Sequence, residues 1–148
     1  MPEGCELFAQ RGRKLGDRLE AAMRHVLERR PGPLSVIGTD APTLTPAHAA
    51  GARGRLMAGD DVCFGPAAGG GYYLLALDRP QLDLPSEEWG GPRVLELSLR
   101  AAREAGLTVG LLGEEPRLET LADAKELLGD PRLPDAIRAL LEPALAAG

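Results

Sequence analysis

The chain is short of cysteine, of long apolar runs and of basic charge. Of its 148 residues only two are cysteine. Cys5 and Cys63 cannot build a disulfide framework and lack metal-ligand spacing, so both are read as reduced thiols. No apolar run approaches membrane-spanning length, which argues against a transmembrane segment. The opening Met-Pro-Glu-Gly-Cys-Glu has no charged stretch followed by an apolar one. No signal peptide is read there, and a cytoplasmic location is expected. The net charge of -5 disfavours a broad basic surface and with it general nucleic-acid binding. Arg11, Arg13, Lys14 and Arg18 make only a local basic patch. Internal repeats and low-complexity linkers are also missing.

What is present suits one globular α/β domain over residues 1–148, with 44% apolar and 26% charged residues. Leu15, Leu19, Ala22, Met23, Val26 and Leu27 recur at helical spacing within 14–30, and Pro31-Gly32-Pro33 stops that helix. Residues 34–38 read as a short buried strand. Thr45-Pro46 reads as an N-cap followed by proline at the first helical position, with the helix reaching about residue 58. Residues 61–65 and 72–77 read as two more strands, and 108–112 as a fourth. Residues 86–89 read as a loop or a single turn. Helices are expected over 92–105, closed by Gly106, and over 121–128 and 133–146.

Strands alternating with helices predict a mainly parallel sheet covered on both faces, a three-layer α/β/α architecture. The strands at 61 and 72 are the exception, because the glycine-bearing loop between them is too short for parallel neighbours. A ligand crevice is expected beyond the C-terminal strand ends, where the loops 38–44, 65–72 and 114–123 converge.

The first of these loops places Asp40 at a strand end, where a carboxylate holds a divalent cation against a diphosphate or bonds its own turn amides. The second, Gly65-Pro66-Ala67-Ala68-Gly69-Gly70-Gly71-Tyr72-Tyr73, lets backbone approach a ligand but is followed by a strand. That context favours a tight hairpin over a phosphate-binding loop. Tyr72 and Tyr73 face opposite ways, so one at most lines a cleft. In the third region Glu119 is a candidate second metal ligand, whereas Glu114 and Glu115 read as a solvated acidic run. His25 and His48 have no partner at catalytic spacing.

The motifs in order are Gln10-x-Gly12-x-x-Leu15-Gly16-x-Arg18, Gly38-Thr39-Asp40-Ala41-Pro42, Gly65-Pro66-Ala67-x-x-Gly70-Gly71-Tyr72-Tyr73-Leu74, and Trp89 before a helix. Together they resemble the selenodomain-associated, glycosyltransferase-A-like transferases, whose fold is that of the nucleotide-diphospho-sugar transferases. The resemblance runs from about Gln10 to about Leu128. It implies a nucleotide or nucleotide-sugar ligand and a bound Mg²⁺ or Mn²⁺. Asp40 would be the catalytic and metal-binding acid, with Glu119 or Asp123 assisting. Gln10, Gly12 and Arg18 would lie near the nucleotide, and Thr39, Pro42, Gly70, Gly71 and Tyr72 would complete the substrate site.

Several positions depart from that pattern. The family's Asp before Gly-Gly-Tyr-Tyr is Gly69 here, and its acid before Leu-Gly is Lys14. Its closing Asp-x-Asp-Thr is Arg117-Leu118-Glu119-Thr120. Exchanging an acid for a base opposes cation binding. Two readings follow: a metal-dependent nucleotidyl- or glycosyltransferase-like enzyme, or a non-catalytic relative that serves as a binding or assembly module. A third possibility within them is direct binding of an anion by Lys14, Arg18 and Arg117. The chain also starts after the family's opening strand and nucleotide-gripping loop, which predicts an uncovered sheet edge and a homodimer that covers it.

Overall fold

The computed structural model describes residues 5–79 and 91–146. The loop expected at 86–89 lies outside the described residues. The order of elements is α1 (Leu15–Arg29), β1 (Leu34–Ile37), α2 (Pro46–Met57), β2 (Val62–Ala67), β3 (Gly71–Leu77), α3 (Val94–Glu104), β4 (Val109–Leu111), α4 (Leu121–Leu128) and α5 (Asp135–Ala146).

Local chemistry sets these boundaries. The Asp17 carboxylate accepts the Lys14 amide at 3.2 Å and starts α1, a use of the exposed amides at a helix N-terminus. Thr45 precedes Pro46 at the start of α2, as its residue types require. Thr120 accepts the Asp123 amide at 3.2 Å while Asp123 accepts the Thr120 amide at 2.8 Å, a reciprocal cap for α4. Gly106, at φ +72°, takes the left-handed turn that follows α3.

The four strands form one sheet in the order β1-β3-β2-β4. β3 runs antiparallel to both β1 and β2, whereas β4 runs parallel to β2. β1, β2 and β4 therefore point one way and β3 is inserted against them. The expectation of a mainly parallel sheet holds for strand direction but not for pairing, and the sheet is mixed. The cause is the hairpin between β2 and β3, where Gly69 and Gly70 take φ of +87° and +88°. Consecutive residues in that region suit a tight reversal and need glycine.

Helices cover both faces. On one face Met23 and Leu27 of α1 and Ala102 of α3 pack with Val62, Phe64, Leu75 and Leu77. On the other, Ala52 of α2 packs with Cys63, Tyr73, Leu74 and Ala76. Alternation along Val62–Phe64 and Leu74–Leu77 sends neighbouring residues to opposite cores, whereas the register shift between Gly65 and Pro66 puts Tyr73 on the same side as Leu74. Tyr72 meets Phe64 edge-on at 5.1 Å, and Tyr73 meets His48 at 5.5 Å. Asp61 joins the starts of β2 and β4 by accepting the Thr108 amide at 2.8 Å and its hydroxyl at 2.7 Å.

Candidate functional site: a cleft at the strand ends

A cleft of about 390 Å³ opens at the C-terminal ends of β1 and β2 and draws on the segment that follows β4. The three converging loops expected from the sequence all contribute. They supply Gly38, Thr39 and Asp40, then Ala67 and Gly71, then Arg117 and Glu119. The cleft has an apolar wall, formed by Leu15 and Leu19 of α1, Val36 and Ile37 of β1, and Val94 of α3. Its polar end holds Thr39, Asp40, Arg117 and Glu119.

Backbone bonds place the polar end. Gly38 donates to the Tyr73 carbonyl at 2.8 Å, which extends the β1–β3 ladder by one residue. Asp40 then folds back over Gly38, where a Cβ would sit 2.7 Å from Asp40 Oδ1. Leu118 donates to the Asp40 carbonyl at 2.7 Å and so fixes the third loop against the first.

Arg117 is the centre of the charge arrangement. Its side chain is only 16% exposed, and it pairs with both Asp40 and Glu119. Nε lies 3.9 Å from Asp40 Oδ2 and is buried without a hydrogen-bond partner. The guanidinium rests against the hairpin, and Cβ atoms at Gly69 and Gly71 would stand 3.8 and 3.6 Å from Nη1. An acid at position 69 would thus face the base at position 117.

The metal expectation does not fit these residues as they stand. Asp40 and Glu119 both answer to a guanidinium that occupies the position between them. No group of three His, Cys, Asp or Glu gathers for a metal ion among the described residues. Asp123 is committed to helix capping, because its Oδ2 accepts the amides of Glu119 at 3.0 Å and Thr120 at 2.8 Å.

Of the other expected site residues, Thr39, Gly71 and Tyr72 line the cleft beside Asp40 and Glu119. Gln10 does not reach it and lines a separate hollow with Phe8, Arg11 and His25. Gly12 packs against Asp17 and Arg18 at the start of α1. Arg18 bonds back to the Lys14 carbonyl at 3.4 Å. Pro42 is half-buried beyond the cleft lining. Gly70 packs on the Pro92 carbonyl and accepts the Leu95 amide at 3.0 Å, a structural role at the start of α3.

A buried polar cluster behind the cleft escaped the sequence reading. Glu115, expected in a solvated run, is only 7% exposed at its side chain. It accepts from Thr43 Oγ1 at 2.6 Å, from His48 Nε2 at 3.1 Å and from Arg132 Nη1 at 2.9 and 2.8 Å. His48 Nδ1 accepts the Thr45 amide at 3.0 Å, which leaves Nε2 as the donor to Glu115. Burial by itself would raise the Glu115 carboxyl, but the bonds from Thr43 and His48 and the charge of Arg132 hold it below its ordinary value. The cluster anchors the segment that carries Arg117 to the start of α2. Linear spacing does not separate Glu115 from Glu114, and no sequence signal ties His48 to either of them.

Among solved structures, a crystal structure from Desulfovibrio desulfuricans described as a "putative nucleotide-diphospho-sugar transferase" is similar to this chain, with a TM-score of 0.72 and 27% identity. The match covers 80% of this chain and 52% of that one, so the chain spans about half the length of that structure. It supports the nucleotide-diphospho-sugar transferase-like fold read from the sequence. No curated protein matches the chain significantly. The family described as "Uncharacterized protein conserved in bacteria (DUF2064)" matches residues 1–90, and the chain belongs to that family.

Proposed function

We propose that the cleft binds a nucleotide-activated substrate, such as a nucleotide sugar, and that the protein is transferase-like. Its closer kinship, on the motifs quoted above, is with the selenodomain-associated, glycosyltransferase-A-like transferases. The observation that carries this reading is the division of one cleft into an apolar wall and a charged end at the strand termini. Apolar side chains suit a flat base, and the guanidinium of Arg117 suits a diphosphate. The Asp40 carboxylate would accept a hydrogen bond from a hydroxyl of the ribose or the sugar. A fixed cation next to the diphosphate would stabilise the charge that develops as it leaves.

Calorimetry or thermal shift against nucleoside triphosphates and nucleotide sugars, with and without Mn²⁺, tests this reading. Binding that weakens in Asp40→Asn supports it, and no binding to any of them would sink it. The alternative, a binding module without chemistry, draws support from the loss of acids at 69 and 117. Turnover of a bound nucleotide sugar distinguishes the two.

A homodimer belongs to the same proposal. Among the described residues β1 is an edge of the sheet, and Ile37 on it is 48% exposed. Unpaired edges pair readily with another strand, and a second copy brings the same edge. Sedimentation that shows only monomer at high concentration would count against it.

A further inference from the structure

Arg117 and Glu119 line two cavities at once. One is the cleft described above. The other is a neighbouring groove of about 690 Å³ that runs past Glu114, Asp123, Glu126 and Asp130. The Arg117–Glu119 ion pair is therefore the wall between them.

The two partners are held very differently. Arg117 is 16% exposed at its side chain, Glu119 52%. The guanidinium is lodged against glycine backbone at 69 and 71, and its segment is tied down by the Leu118–Asp40 backbone bond. Glu119 is anchored through its backbone amide to Asp123, whereas its carboxylate stands near solvent. The buried Nε of Arg117 has no hydrogen-bond partner. A guanidinium presents planar paired donors that match an anion with two or more oxygens. Glu119 thus supplies an anion to a site whose donors are incompletely used.

We propose that Glu119 is an internal stand-in for the ligand: the diphosphate of the bound substrate displaces its carboxylate from Arg117, and no divalent cation takes part. This rests on the assignment of the cleft to a nucleotide-activated substrate. Exchange of one anion for another at a fixed cation avoids adding negative charge to an intact pair. It explains how a cleft with Asp40 and Glu119 can still accept a phosphate.

Calorimetric titration of the full chain with inorganic pyrophosphate in EDTA tests the exchange without assuming a nucleobase. Wild type is expected to bind, Glu119→Gln to bind about tenfold more tightly, and Arg117→Gln not at all. Arg117→Lys keeps the charge, loses the fork and should erase most of the gain from Glu119→Gln. Should Arg117→Gln fail to fold, the Glu119→Gln comparison decides alone. Unchanged or weaker binding in Glu119→Gln overturns the proposal, as does pyrophosphate binding that appears only with Mn²⁺. A nucleotide sugar that binds solely with Mn²⁺ would overturn the exchange yet leave the cleft assignment standing. Pyrophosphate exchange at Arg117 without binding of any nucleotide would do the reverse.

Discussion

Thr43 and Glu115, 72 residues apart in the chain, share a buried hydrogen bond of 2.6 Å. It ties the turn before α2 to the segment after β4, beside the Leu118–Asp40 backbone bond that joins the loops of the cleft's polar end. With His48 and Arg132 it makes a closed cluster around one carboxylate. A buried charge with such partners is costly to disturb.

Glu115→Gln keeps the shape and removes the charge. It should cost about 1.5–3 kcal/mol of stability at neutral pH, the usual worth of hydrogen bonds to a charged group. The folded carboxyl titrates below its ordinary value of 4.5. Its contribution is therefore complete above that value and is lost as pH falls through the lower, folded one. Urea unfolding at a series of pH values should show a gap between wild type and variant that closes in acid. A gap that stays constant with pH would refute the assignment.

Gly70 is expected to tolerate no side chain. It has φ of +88°, and a Cβ would land on the Pro92 carbonyl oxygen. Gly70→Ala should destabilise by about 1–3 kcal/mol, the range for strained backbone, and more if α3 shifts away. Thermal unfolding measures it. A change below about 0.5 kcal/mol, typical of neutral surface sites, would show that the hairpin does not press on Pro92.

Gly69 is a different case, because Arg117 lies beside it with its Nη1 3.8 Å from where a Cβ would be. Asp tolerates left-handed backbone better than most residues. Gly69→Asp should fold and draw Arg117 into a third ion pair, beside those with Asp40 and Glu119. Pyrophosphate affinity should then fall by at least tenfold, read by calorimetry. Unaltered affinity would mean that Arg117 does not hold the anion.

The two thiols should behave oppositely. Cys5 is exposed, whereas Cys63 is buried and its thiol is pushed up to about 11 by that burial. The thiolate is the reactive form. Iodoacetamide at pH 8 should label one cysteine in the native protein and both in denaturant, as counted by mass spectrometry. Fast native labelling of Cys63 would contradict the packing of β2 against α2.

Most of the fold was legible in local patterns. Helical periodicity in 14–30, the Thr45-Pro46 start, the Thr120 cap and Gly106 each encode a boundary in a few adjacent residues. The short glycine loop between 65 and 72 already argued against parallel neighbours, and β3 is indeed antiparallel to β2. The insertion of β3 between β1 and β2 was not legible. Nothing in a strand of Leu, Ala and Tyr names its second partner.

For the site, the sequence alone determined which loops meet, since strand ends on one edge of a sheet bring their following loops together. It placed Asp40 and Glu119 in the same cleft. Tertiary structure decided what stands between them. The partners of Arg117 are Asp40, 77 positions before it by their numbers, and Glu119, two after it. The partners of Glu115 come from 43, 48 and 132. Charge and burial depend on distances in space, and long-range packing sets those distances. That is why a carboxylate read as a metal ligand proved to face a guanidinium, and one read as solvated proved to be buried.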